Sequence, residues 1–532
     1  MKKKQLLSGV MALLLSASLC ACGGSKTAEG TSEAAGESSE AETSNTLSEG
    51  TPVPGGSVVY GMTQDLASLD PHVDTDAGTR DVVFNLYEGL VKPTSDGGFI
   101  PAVASDYTIS DDAKTYTFTL RDGITFHDGT PVTIEDVKYS IDRYAEIQGE
   151  SSAFSSLVDS VEVQDDKTLV VNLKESYSEF LPMMTIAIIP QSNEDPAGNP
   201  IGTGPYKLDS WDAGQAITLV KNEDYFKGTP NIDKIIFKIV PDDNAKAIQM
   251  QSGELDLALL TPKDAKTFAD QDGYTCYDMK TSDYRGILYN FNNDYWTANK
   301  DIIPAINYAI DRQAIIDAVL LGQGMTAYGP LQRNIYNNEN VEHYDYNPEK
   351  SKEIMESVGC TMGEDGFYYR DGEKIGFVIS VGAGDQVRLD IAQAAAQQLK
   401  EVGIDCTVEV PTEVDWGGQM AYLIGWGSPF DADDHTYKVF GTDKGANYSS
   451  YSNALVDQYL IEARESADPA VRAEAYDKFQ EELAKDPAFT FICYIDANYV
   501  ANSSIQGISA DTVMGHHGVG IFWNVADWTI GN

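Results

Sequence analysis

From about residue 51 onward the chain alternates between two spacings of apolar residues. In AKTYTFTLRDG, Tyr116, Phe118 and Leu120 fall at every second position, the spacing of a strand with one buried face. In TRDVVFNLYEGLVKP, Val82, Val83, Leu86, Tyr87 and Leu90 recur at helical steps, which predicts an amphipathic helix stopped by Pro93. The same reading predicts a short strand at Val58–Tyr60, a strand from Lys234 to Val240, and a helix then a strand in DNAKAIQMQSGELDLALL. It predicts one helical run in IIPAINYAIDRQAIIDAVLLGQG and a helix, Gly403 and a strand in RLDIAQAAAQQLKEVGIDCTVEV. Thr133 with Asp136 three positions on reads as a helix start, as does Asp468 followed by Pro469. The last strands are expected in FTFICYIDANYVAN and in the tail IFWNVADW. Sheets flanked by helices define an α/β fold class.

The first fifty residues do not fit either spacing. MKKKQLLSGVMALLLSASLCACGG has a basic start, an apolar run shorter than the ~20 residues of a spanning helix, and small residues around two cysteines, the pattern of a secretion signal. Its end resembles the bacterial lipobox. Cys22, preceded by Ala21, fits the lipid-accepting position, whereas Cys20 would follow bulky Leu19. Residues 1–22 are therefore expected to be a lipoprotein signal. Residues 23–50, rich in Gly, Ser, Thr, Ala and Glu, are expected to be a disordered tether, since such a segment cannot offset its ordering entropy by burying apolar surface.

Composition then removes whole classes of function. With 82 acidic against 37 basic residues the formal charge is −45, and no basic stripe exists to displace counterions from nucleic acid. Cys276, Cys360, Cys406 and Cys493 stand far apart with no metal-type spacing. They form either two bridges in one of three pairings or buried free thiols, and the second suits a chain too large to need staples. No G-x-S-x-G elbow, phosphate-binding glycine loop or H-E-x-x-H is present, and the chain is expected to be neither an enzyme nor the holder of a cofactor or metal. An extracellular hydrolase built on two carboxylates is the reading outside this class. His127 in FHDGTP reads as structural. His516-His517 reads as a surface loop, and DTDAGTRD as a helix cap rather than a calcium loop.

Several blocks together resemble the extracytoplasmic substrate-binding proteins of peptide, nickel and related ABC importers. They are SLDPH, YTFTLRDGITFHDGTPVTIEDVKYSIDR, IGTGPYKL, KNEDYFKGTPNIDKIIFKIV, SGELDLA and AINYAIDRQAII, in that order. The resemblance implies a class II, two-lobed periplasmic-binding-protein fold, peptide-binding-like, with an extra insert domain. Lobe I would comprise residues 51–79, 199–283 and 504–532, the insert domain 80–198, and lobe II 284–503. The hinge strands would lie near 283–293 and 498–504. The partners implied are a di- or oligopeptide or another small solute, an ABC permease with its ATPase, and a membrane reached only through the lipid anchor; the protein is expected to act as a monomer.

The resemblance also directs attention to GWGSPFDADDHTYKVF. In peptide-binding members a Gly-Trp pair opens a loop that lines the cleft, and an aspartate three residues beyond the tryptophan holds the ligand's α-amino group. Gly425-Trp426 match, but Pro429 stands at the aspartate's position and has no charge, so Asp431 becomes the candidate replacement. An ammonium buried without a partner costs several kcal/mol, about the penalty of any unpaired buried charge. The run is also similar to that of nickel-binding relatives, which hold a metal chelate through arginines and a tryptophan; Arg285, Arg333 and Arg388 are the arginines available for this. The expected ligand contacts are Trp426, Asp431, Tyr284 and Asn290, with Leu69 and Asp70 from the facing lobe. Peptide is the leading solute, with a nickel or metal chelate, an oligosaccharide or another organic solute as alternatives.

Overall fold

The computed structural model describes residues 55–73, 77–94, 98–150, 152–427, 432–466, 468–511, 513–514 and 520–531. Cys22, the tether, Asp74–Asp76, Asp431 and His516-His517 lie outside them.

Ten strands form the spine of one mixed sheet: β1 (Ser57–Met62), β2 (Tyr206–Asp212), β3 (Ala216–Lys221), β4 (Lys234–Ile239), β5 (Leu257–Leu260), β6 (Tyr274–Tyr289), β7 (Gly376–Ser380), β8 (Asp405–Glu409), β9 (Ala421–Ile424) and β10 (Phe489–Asn502). Their spatial order is β8-β7-β9-β6-β10-β5-β1-β4-β3-β2. The strands β7, β8 and β9 run parallel, as do β5, β1 and β4. The long strands β6 and β10 are antiparallel partners in the middle.

These two strands connect different cores. On one side, Val58, Tyr60, Phe237, Leu257, Met279, Tyr499 and Trp528 pack together. On the other, alternation along β6 sends Tyr284 and Leu288 to one face of the sheet and Ile287 and Tyr289 to the opposite face, where each pair joins a separate cluster. Between the two regions the pairing slips: Lys280 is opposite Asp496 but Tyr284 is opposite Tyr494, so three residues of β6 face one of β10. The chain leaves the first core after Met279, and its next buried member of that core is Tyr499.

A third core belongs to a four-stranded antiparallel sheet built from residues 104–109, 115–120, 168–173 and 158–165, with Tyr116, Phe118, Leu169 and Val171 facing the helix Ile134–Gln148. That helix starts as its sequence predicts: Thr133 Oγ1 accepts from Asp136 N at 3.2 Å while Asp136 Oδ2 accepts from Thr133 N at 2.9 Å.

Three expectations fail. The helix expected through Leu90 to Pro93 spans only Ala77–Leu86, and Val91–Pro93 is a short strand paired with Phe99–Pro101, because Leu86 O accepts from Gly204 N and Leu90 O from Ala102 N, each at 3.0 Å, instead of from a further helical turn. The run beginning IIPAINYAID is two helices, Ile303–Ala309 and Arg312–Val319, because Asp311 turns out of the first and caps the second by accepting from Ala314 N at 3.0 Å. The tail IFWNVADW is not a strand but a 3-10 segment, Gly520–Asp527, that buries Ile521, Phe522 and Val525. Among the described cysteines Cys276, Cys360, Cys406 and Cys493 are all free, and the last three are buried.

Candidate functional site

Ligands of open α/β sheets bind beyond the carboxyl ends of parallel strands, so the edge reached by β7, β8 and β9 is where side chains matter. From β9 the chain enters Gly425-Trp426-Gly427, and this turn is pressed onto β6. A Cβ at Gly425 would stand 1.8 Å from the Tyr284 carbonyl oxygen, and one at Gly427 1.8 Å from that of Ser282. Gly427 also has φ +154°. Tyr284 N donates to Trp426 O at 3.0 Å, which fixes the turn in register.

The turn delivers Trp426 to the end of an aromatic ladder. Its ring stacks on Tyr448 at 6.1 Å, Tyr448 stacks on Trp416 at 4.4 Å, and Trp416 lies over Tyr422 at 4.6 Å. Trp426 is 8 % exposed, whereas Trp416 is 41 % exposed and is the ladder's open end. Trp416 comes from the segment between β8 and β9, shaped by Asp415, whose Oδ1 accepts from Gly417 N and Gly418 N at 3.1 Å each. Asn290 holds the same segment from beneath, its Nδ2 donating to Gly417 O at 3.0 Å and Gln419 O at 2.9 Å.

Polar groups line this edge. Glu409, Ser380 and Tyr422 share one row across β8, β7 and β9, and Ser380 Oγ donates to Glu409 Oε1 at 2.7 Å. The Tyr422 hydroxyl is buried without a hydrogen-bond partner; burial, then Asp415 and Glu409, push its pKa up. The Gln419 amide is likewise buried with neither atom paired. Unpaired buried polar groups cost free energy that a polar ligand atom can recover.

Two ion pairs sit just below the turn. Arg285 Nη1 is 2.5 Å from Asp283 Oδ1, both side chains being buried, and Arg388 Nε is 3.1 Å from Asp385 Oδ2 at the start of the helix Gln386–Glu401. Burial opposes the charge on Arg285, but Asp283 outweighs it and holds the guanidinium above its ordinary value. Arg388 is pulled below its ordinary value by burial and by Arg285.

Of the residues expected to touch ligand, Trp426, Tyr284 and Asn290 are gathered around this one turn, and Asp431 is outside the described residues. Tyr284 is fully buried, its ring edge-on to Phe491 at 5.1 Å, and Asn290 is 1 % exposed, so in this conformation both lie beneath the turn. Leu69 and Asp70, expected from the facing lobe, stand apart from this turn's clusters. Leu69 belongs to the first core, and Asp70 is held by Arg143 at 2.5 and 2.9 Å and by His72 N at 3.1 Å. Burial would raise the Asp70 carboxyl, yet Arg143 and His72 hold it below the usual range. Arg333 binds Thr281 O at 2.7 Å and Asp496 Oδ1 at 2.6 Å, joining β6 to β10 where they pass between cores. The sequence reading missed Trp416 and Tyr448; the only signal for Trp416 was a tryptophan set before a Gly-Gly pair. Among the described residues no group of three or more His, Cys, Asp or Glu is placed to hold a metal ion.

An aromatic and charged edge at the carboxyl ends of parallel strands, in a sheet whose two long central strands join separate cores, is a place where an open α/β protein binds a small solute. The chain belongs to the bacterial extracellular solute-binding proteins, family 5, whose model for the middle region matches residues 98–448. Protein XP55 of Streptomyces lividans is 32 % identical over 477 residues, 85 % of this chain and 86 % of that one. The crystal structure of NikZ from Campylobacter jejuni in complex with Ni(L-His) is 28 % identical with a TM-score of 0.80, covering 89 % of this chain and 99 % of the other. The oligopeptide-binding protein AppA of Bacillus subtilis, in complex with a nonapeptide, is 26 % identical with a TM-score of 0.75, covering 91 % and 100 %. Proteins of this family are extracytoplasmic substrate-binding components of ABC importers and work with permease and ATPase subunits. Among the described residues no helix is long and apolar enough to cross a membrane.

Proposed function

We propose that this protein captures a short peptide between its two sheet-crossed lobes and hands it to a membrane permease. The observation that carries the reading is the placement of both charge signs, Asp283 with Arg285 and Asp385 with Arg388, beside the Trp426–Tyr448–Trp416 ladder. A peptide brings an ammonium, a carboxylate and side chains of mixed character, and paired groups that can re-partner suit both of its ends. Trp426 and the open face of Trp416 are the contacts for its side chains. Tyr284 and Asn290 shape the wall from behind, and Asp431 is the remaining carboxylate for the ammonium. The lobes turn about residues 280–284 and 494–497, where β6 bulges against β10. The likeness to a nickel–histidine receptor favours a second reading, in which Arg285 and Arg388 take the carboxylates of a metal chelate.

A thermal-shift screen separates the two. Dipeptides, hexapeptides, nickel–histidine and an oligosaccharide are offered to the purified protein, since a ligand held only by the folded state raises its melting temperature. Peptides are expected to raise it by several degrees, and Trp416→Ala to weaken the effect. Stabilisation by nickel–histidine alone would transfer the assignment to the chelate.

A further inference from the structure

We infer that the insert and the second lobe carry a polar latch that holds the lobes together before any solute arrives. It rests on the lobe assignment above, but not on which solute is bound. The residues come from distant parts of the chain. Tyr177 and Glu179 follow the strand Thr168–Leu173 of the insert, and Tyr177 is part of the insert's own core. Facing them are Asp433, beyond the Trp426 turn, Arg464 in the last turn of the helix Ala454–Glu465, and Arg472 in the first turn of Pro469–Lys485.

The Tyr177 hydroxyl donates to Asp433 Oδ2 at 2.9 Å, and the same carboxylate oxygen is 3.4 Å from Arg464 Nη2. The Arg464 guanidinium is sandwiched between rings, 4.9 Å from the centroid of Tyr177 and 4.0 Å from that of Tyr437. Next to it Arg472 is ion-paired with Glu179 and lies 4.8 Å from the ring centroid of Tyr336. Asp433 and Arg472 are 4 % and 9 % exposed at the side chain, so these charges have been taken out of water.

Among the described residues the insert's apolar cluster shares no member with those of the second lobe, whereas the crossing contacts named here are a hydrogen bond, an ion pair and the Arg464–Tyr177 cation–ring contact. Such contacts can be exchanged for water when the lobes part, which an apolar seam resists. A ligand shifts closure only by its differential affinity, and its apparent affinity scales with the fraction of protein already competent. The latch sets that fraction. Tyr177 and Glu179 therefore tune affinity without touching solute, and Asp433, one of three carboxylates in the GWGSPFDADDH run, serves closure instead of recognition.

The test uses the whole chain without added solute. Small-angle X-ray scattering is compared for wild type, Tyr177→Phe, Glu179→Gln and the control Lys138→Gln, which removes only an exposed pair within the insert. Wild type and control are expected to scatter as the compact form. The two latch variants are expected to move at least about tenfold toward an expanded form, the low end for losing one hydrogen bond to a charged group, with unchanged circular dichroism. Tyr177→Phe deletes a single hydroxyl and decides the matter even if Glu179→Gln folds poorly. Latch variants as compact as wild type, or a wild type already expanded, overturn the latch. Neither result bears on the choice of solute, which the thermal-shift screen decides.

Discussion

His127 lies in a turn whose only strong signal was two Asp-Gly pairs, yet both of its ring nitrogens are committed. Gly202 N donates to Nδ1 at 3.2 Å, and Nε2 lies 3.1 Å from the Gly204 carbonyl. That pair of partners demands a neutral ring. Burial pulls its pKa to about 4, with the Gly204 hydrogen bond opposing. Because the folded value is below the unfolded one, the contribution is full above pH ~6.5 and is lost as pH falls toward 4, amounting to roughly 3 kcal/mol. Urea unfolding between pH 7 and pH 4 should show wild type losing stability faster than His127→Gln, and parallel profiles would remove His127 as the cause. The structural reading of this histidine was accessible from its turn, but its partners, Gly202 and Gly204, were not. Asp70 teaches the opposite lesson. Its place in the SLDPH block suggested a ligand role, and in this conformation it also pairs with Arg143, 73 positions away; no local pattern encodes a partner at that distance.

At the level of elements, periodicity located most strands and helices because each reflects one buried face. It failed where capping or burial on two sides intervened. Asp311 broke a run whose apolar residues kept helical spacing on both sides of it, and the tail's Ile521, Phe522 and Val525 satisfy helical spacing within a stretch too short to show it. Pairing between strands left no local trace, so the site's edge was visible as a Gly-Trp pair but not as a row across β7, β8 and β9. The docking of that turn on β6 is its most demanding contact. Gly427→Ala would place a methyl group against the Ser282 carbonyl and force the turn away. The expected result is a loss of about 1–3 kcal/mol in stability and at least tenfold weaker solute binding, read by urea unfolding and calorimetry. Full binding by the alanine variant would show that the turn's position is not needed.

At the scale of the whole molecule, the charge of −45 suits a body kept in solution, and attachment to a membrane through the N-terminal segment is a proposal from the sequence alone. Cys22 is the proposed attachment point, and mass spectrometry of protein extracted from membranes should find a lipid-modified Cys22 at the mature N-terminus. Cys22→Ala should release the protein into the medium, and retention of that variant would locate the anchor elsewhere. The same topology governs when the molecule can finish folding. The core around Tyr60 takes Val58 from one end of the described chain and Trp528 from the other, while the cluster from Ile287 to Cys493 is supplied by one continuous stretch. A chain that emerges N-terminus first can assemble the second of these early, since domains fold as their residues become available. The first must wait for the final strand and tail. An exported protein built this way reaches its finished state only after its last residues have cleared the translocation machinery, so the order of the sequence acts as a timer against premature folding.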